Sequence, residues 1–360
     1  MREIMKFYTE EDKVKVTGRT LFRQNIRYLG YSASSVSFRF TGRQASARLI
    51  SDPDNWPQEQ YAWIAVYYNN ETEPAKRIAL TQTEQDIVLY ESESEDTVTV
   101  TIMKYSEPEY AICGIAEITI DSDNLLPPPA PKQRKLQIIG DSITCGYGIE
   151  GSLAEEMHRT ATENPAKAYS VLTANALDAD LEIVAWNGKG VITSYVGEDV
   201  NTPDASWLVP MLYQYTDAGC CSQYFHEPKE NWEKWDYSRF VPDLILINLG
   251  TNDASYTRQI AQREEEFCTA YQDFLLDVHT KHPHAKILCT LGTMDQRLCP
   301  SVARAVTEFS ADHPEAEVSF LALPPQLEED GLGTFWHPTP ATHRKAADLL
   351  ISRAKELMKW

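Results

Sequence analysis

The stretch Leu136-Gln137-Ile138-Ile139-Gly140-Asp141-Ser142-Ile143-Thr144-Cys145-Gly146-Tyr147-Gly148 is an apolar run that stops abruptly in a glycine-flanked polar turn. A run this short and this apolar reads as a strand buried on both faces. Residues 181–186, 244–249, 285–291 and 318–323 have the same character. Segments of helical period lie between them, legible in Ile260, Phe267, Tyr271, Phe274, Leu275 and Val278, and again in Ala346, Leu349, Leu350, Ala354 and Leu357. Strands alternating with helices predict an α/β domain, a doubly wound parallel sheet between helical layers, with its site at the carboxyl ends of the strands.

Immediately upstream, Leu125-Leu126-Pro127-Pro128-Pro129-Ala130-Pro131-Lys132 concentrates prolines that forbid both helix and sheet ladder, so it reads as a linker. Before it the period changes to two. Residues 35–40, 61–68, 97–102 and 112–120 alternate apolar and polar, separated by turn clusters such as Ser51-Asp52-Pro53-Asp54. This predicts a β-sandwich of jelly-roll type over residues 1–128, followed by the parallel-sheet domain over 129–360. A length of 360 residues suits two domains. Residues 194–241 break the regular pattern. They carry Tyr195, Trp207, Tyr213, Tyr215, Tyr224, Phe225, Trp232, Trp235 and Tyr237, and read either as an ordered insertion over the active edge of the sheet or as a surface subdomain that only packs.

Acidic residues outnumber basic ones 53 to 33, a formal net charge of -20, which repels phosphate backbones and anionic lipid. A neutral substrate is expected, and neither a nucleic-acid nor a membrane partner. The opening residues lack the apolar core and cleavage site of a secretory signal, so the chain reads as cytoplasmic. Seven irregularly placed cysteines, without C-x-x-C spacing, read as reduced thiols, and no His pair has i, i+4 spacing. No metal and no organic cofactor is expected.

Three loops follow strands at one edge of the inferred sheet. The first places Ser142 in a tight turn where following peptide N–H groups can face a developing oxyanion. The second, Trp186-Asn187-Gly188-Lys189-Gly190, can offer the Gly188 N–H. The third, Asn248-Leu249-Gly250-Thr251-Asn252-Asp253, can offer the Asn252 amide, with Asp253 tying the loop together. Near the C-terminus, Trp336-His337-Pro338-Thr339-Pro340 holds an imidazole just before the last helix, where it could take a proton from Ser142. Singly, each of these residues is an ordinary turn or capping residue. Their order, all on strand ends, points to nucleophilic catalysis.

These four blocks resemble those of the SGNH, or GDSL, hydrolases: Gly140-Asp141-Ser142, then Gly188, then Gly250-Thr251-Asn252-Asp253, then His337. With a β-sandwich ahead of them and Trp336 directly before His337, the whole chain is similar to carbohydrate esterase family two. The resemblance implies Ser142 as nucleophile and His337 as base. It implies an oxyanion hole from the Ser142 and Gly188 N–H groups and the Asn252 side chain, and removal of acetyl groups from xylan or glucomannan. Trp336 would stack on a sugar ring, and Asp141, Trp235 and Tyr213 are further candidates for substrate contact. One departure stands out, because superfamily members commonly carry an aspartate two or three residues before the histidine, and here those positions are Phe335 and Thr334. A dyad oriented by a main-chain carbonyl is therefore expected, with Asp330 or Glu329 as alternatives. Rival readings are a lipase or thioesterase for longer acyl chains, and a glycan-binding protein without turnover. His158, His226 and His343 are expected to be surface or capping residues.

Overall fold

The computed structural model describes residues 4–10 and 12–360. They form two compact units. The first takes in the described part of 1–131 together with 159–161 and 216–233, and the second takes in 132–158, 162–215 and 234–360. Part of the aromatic insertion thus clusters with the first unit. There Tyr224 and Phe225 pack on Tyr28, with ring centroids 5.7 and 5.4 Å away, and Arg23 pairs with Glu227 at 2.6 Å.

The first unit is jelly-roll-like and antiparallel. Its strands are β1 (Met5–Phe7), β2 (Lys15–Thr17), β3 (Thr20–Arg23), β4 (Ile26–Leu29), β5 (Ser35–Ile50), β6 (Trp63–Tyr68), β7 (Lys76–Ala79), β8 (Glu84–Lys104) and β9 (Gly114–Ile120). They join in the order β3-β4-β9-β5-β8-β6-β7, with β1 on β9 and β2 on β5. The long pair β5 and β8 slips register between Gly42 and Gln44 and again between Ala45 and Ser46. Such bulges sharpen twist and let a long strand bend around one core. Val36, Phe38 and Phe40 alternate into that core, beside Ile64, Val66, Val100 and Ile102, as the period of two in the sequence requires.

The second unit holds the parallel sheet, with strands β10 (Arg134–Gly140), β11 (Ala179–Ala185), β12 (Leu244–Asn248), β13 (Lys286–Leu291) and β14 (Val318–Ala322). The order is β11-β10-β12-β13-β14, so the chain reverses direction across the sheet between β10 and β12. In open α/β sheets that switch point opens the crevice where ligands bind. Register sharpens the point: Gly140 lies opposite both Ala185 and Asn248. The loops after three adjacent strands therefore leave the sheet at one level. The edge strand β14 is only half-buried, which corrects the expectation that all five strands are covered on both faces.

The helices are α1 (Ser142–Cys145), α2 (Tyr169–Ala176), α3 (Val209–Leu212), α4 (Ala254–Thr257), α5 (Ala261–Lys281), α6 (Cys299–Asp312) and α7 (Pro340–Met358). In α5, Phe267, Tyr271, Phe274, Leu275 and Val278 are buried, whereas Ile260 precedes the helix and is exposed. In α7, Ala346, Leu350 and Ala354 are buried while Leu349 lies outside the apolar stripe. Among the described residues, no helix is long and apolar enough to cross a membrane.

Candidate active site

The site grows from the end of β10. Asp141 caps the short helix α1, its carboxylate accepting the Ile143 N–H at 3.0 Å. Ser142 is the first helical residue, so its own N–H has no acceptor within the helix. Ser142 is buried, and its Oγ lies 2.8 Å from His337 Nε2. The two are 195 positions apart in the chain. His337 Nδ1 lies 3.0 Å from the Thr334 carbonyl oxygen. A proton on Nδ1, donated to that oxygen, leaves Nε2 as the acceptor facing the hydroxyl. Asp330, weighed as an alternative partner, instead pairs with Lys345 at 2.7 Å.

Burial holds the His337 imidazole well below its ordinary range, at about 4; the bond to Thr334 pulls the other way, and His158 adds to the depression. His337 is therefore neutral near pH 7, the form a general base needs. One face of its ring meets Tyr147 at 4.4 Å between centroids. Tyr147 in turn stacks on His158 at 3.7 Å, nearly parallel, and His158 Nε2 lies 2.8 Å from the buried Glu163. Of the histidines expected to be surface or capping residues, His158 and His343 are buried. His343 Nδ1 accepts the Tyr169 N–H at 3.1 Å, which closes α7 onto α2.

The second and third loops meet through Asp253. Its carboxylate accepts the N–H groups of Val191 at 2.9 Å, Ile192 at 2.8 Å and Thr193 at 3.3 Å. Only glycine fits at position 190, since a Cβ there would lie 2.4 Å from Asp253 Oδ2. Gly188 has φ +69 with no atom within 4 Å of where a Cβ would sit, so the left-handed backbone requires glycine and the space above it stays open. The Asn252 amide donates to the Lys189 carbonyl at 3.0 Å and makes a longer contact, 3.3 Å, to Asp141 Oδ2. That second N–H is the one a stronger acceptor at the site could capture. Burial pushes Asp141 up to about 7, the Ile143 N–H opposing and Asp253 adding to the rise; Asp253 is pushed up to about 6.

Ser142, on a strand-to-helix turn, meets His337 from before the last helix, with Gly188 and Asn252 on the loops after the two neighbouring strands. Residues 138–345 match the GDSL-like lipase/acylhydrolase family. The chain belongs to that family. Its residues 16–129 match the carbohydrate esterase 2 N-terminal domain. This acylhydrolase is 30% identical over 334 residues to "Cellulase/esterase CelE" of Acetivibrio thermocellus, an alignment covering 92% of the chain and 38% of that longer relative. It is 28% identical to "Acetylxylan esterase / glucomannan deacetylase" of Cellvibrio japonicus, covering 96% of the chain and 89% of the relative. Among solved structures, a family two carbohydrate esterase from Clostridium thermocellum in complex with cellohexaose superposes with a TM-score of 0.82. Identity there is 28%, covering 96% of this chain and 99% of that one.

Within this esterase, Trp336 is 58% exposed beside His337, and Phe335 is also exposed. Three other expected substrate contacts need correction. Tyr213 is 0% exposed; its hydroxyl donates to Gln137 Oε1 at 2.9 Å and its ring meets Phe274 at 5.7 Å, so it packs the second unit. Trp235 is 5% exposed under the Arg239 guanidinium. Asp141 is buried with both oxygens engaged by Ile143 and Asn252, which makes it a cap and a tether. An aromatic residue in an irregular insertion carries no sequence signal separating a platform from a plug. Tyr195, by contrast, is exposed, and its N–H donates to the Gly188 carbonyl at 2.7 Å.

Proposed function

We propose that this protein is a carbohydrate O-acetyl esterase acting on acetylated mannan, glucomannan or xylan through Ser142 and His337. The observation that carries the reading is the 2.8 Å approach of Ser142 Oγ to His337 Nε2 at the switch point of the sheet. Ser142 Oγ attacks the acetyl carbonyl carbon while Nε2 takes its proton. The oxyanion is held by the Ser142 N–H, the Gly188 N–H and the Asn252 amide, each donor contributing roughly 3 kcal/mol to the transition state. Collapse breaks the bond to the sugar oxygen, which leaves with the proton from Nε2. Water then gives a proton to His337, attacks acetyl-Ser142 and releases acetate, restoring the hydroxyl.

The names of the relatives support the acetyl and glycan parts of this reading, and the exposed Trp336, next to His337 in the chain, suits a sugar ring. An open aromatic platform favours a sugar over a long acyl chain, which needs an enclosed apolar channel. Acetate release from an aryl acetate and from acetylated glucomannan tests the proposal. Ser142→Ala and His337→Ala should each lower kcat by about 10³ or more. Wild-type rates in either variant end the proposal, and a preference for acyl chains longer than propionyl replaces it with the lipase reading.

A further inference from the structure

The dyad lacks a carboxylate in the usual place, yet a carboxylate reaches the same histidine by another route. We propose that Glu155 is the positioning residue for His337, acting through Thr334. The inference rests on the reading of Ser142 and His337 as nucleophile and base.

The Thr334 carbonyl accepts from His337 twice, from Nδ1 at 3.0 Å and from the backbone N–H at 3.1 Å. The acceptor that faces Nδ1 therefore sits where the Thr334 peptide holds it. Thr334 is fully buried and held at two further points: its N–H donates to the Gly148 carbonyl at 3.2 Å, and its Oγ1 donates to Glu155 Oε2 at 2.7 Å. Gly151 makes the second bond possible, since a Cβ there would lie 2.0 Å from Thr334 Oγ1 and 2.7 Å from Glu155 Oε2.

The turn needs such an anchor. Between Thr334 and His337, Phe335 has φ +50 and Trp336 has φ +66, two consecutive left-handed residues that bend the chain back so the carbonyl can meet the ring. For residues with a Cβ this conformation is strained relative to the right-handed one. A hydrogen bond accepted by a carboxylate is stronger than one between neutral groups, and here it opposes that strain on the Thr334 side. On the other side Gln326 Nε2 donates to the Trp336 carbonyl at 2.7 Å. Release of either clamp lets the turn relax toward extended backbone and draws the carbonyl away from Nδ1. Glu155 thus fixes the tautomer and direction of His337 without touching it.

The test uses the full chain, an aryl acetate, and active-site titration by the acetyl burst so that rates are per competent site. Glu155→Ala and Thr334→Val should each lower kcat about tenfold with KM little changed. The downfield proton NMR signal of the His337 Nδ1–H should weaken or broaden. Glu155→Gln, which keeps an acceptor for the Thr334 hydroxyl, and Thr334→Ser, which keeps the hydroxyl, should recover most of kcat and the signal. Wild-type kcat per site and an unchanged Nδ1–H signal in Glu155→Ala would overturn the proposal, as would a Gln variant no better than Ala. Thr334→Val covers the case of a misfolded Glu155→Ala. Ser142→Ala run alongside separates the two readings: activity surviving there sinks the dyad, whereas a dead Ser142→Ala beside an unaffected Glu155→Ala sinks only the role of Glu155.

Discussion

The His337 imidazole is neutral near pH 7 because burial opposes its charged form, and that has a consequence in pH. Its imidazole sits at about 4 in the folded chain, below the roughly 6.5 of an exposed histidine. The proton-accepting form therefore persists well into acid. On an aryl acetate, kcat/KM is expected to stay level from about pH 7 down to about pH 5 and to fall through about pH 4. An acid limb near pH 6.5 would mean that water reaches the ring. The same shift acts on stability with a definite sign: a histidine depressed by folding contributes stability above its unfolded value, and that contribution is lost as pH falls through about 4. Asp141 and Asp253, raised to about 7 and about 6, run the other way, losing stability as pH rises through those values. The meeting of Ser142 with His337 was legible in the sequence because each sits in a short local signature. Glu155 was not, since nothing near it in the chain marks it and its partner Thr334 lies 179 positions away.

At the scale of elements, the loops after β11 and β12 act as a unit because one buried carboxylate laces them together. Asp253 holds the loop after β11 by three N–H groups, and Gly190 lets it approach. Gly190→Ala would force a methyl group within 2.4 Å of that carboxylate. It is expected to cost about 1–3 kcal/mol in urea unfolding and to reduce kcat by moving Gly188 and Lys189. An unchanged unfolding midpoint with unchanged kcat would show that the loops are not coupled this way. The strands themselves were readable from their apolar runs. The half-exposed edge of β14 was not, because burial of an edge depends on what covers it and not on its own residues.

For the whole molecule, the division into units bears on what can be cut. Residues 216–233 cluster with the N-terminal unit, where Tyr224 and Phe225 pack against Tyr28. A fragment comprising 132–360 would lose Tyr28 and expose both rings, so it is expected to bind a hydrophobic dye and to aggregate on gel filtration. A monodisperse fragment with full esterase activity and no dye binding would contradict this. A break between residues 128 and 129, natural from the proline run, misses this segment because sequence-local composition does not report which distant surface a later loop joins.

What the sequence determined by itself was everything carried by neighbours along the chain: a change of hydrophobic period from two to helical, apolar strands ending in glycine turns, and the order of serine, glycine, asparagine and histidine blocks. These are short-range signals, since steric limits on φ and ψ and the burial of alternate side chains act within a few residues. The tertiary structure alone decided that Tyr213 and Trp235 are packing residues, that Trp336 is open, and that His337 leans on Thr334, Tyr147 and, through Thr334, Glu155. Those outcomes depend on which surfaces meet once the chain has closed, and contacts between residues far apart in the chain leave no local imprint in the order of amino acids.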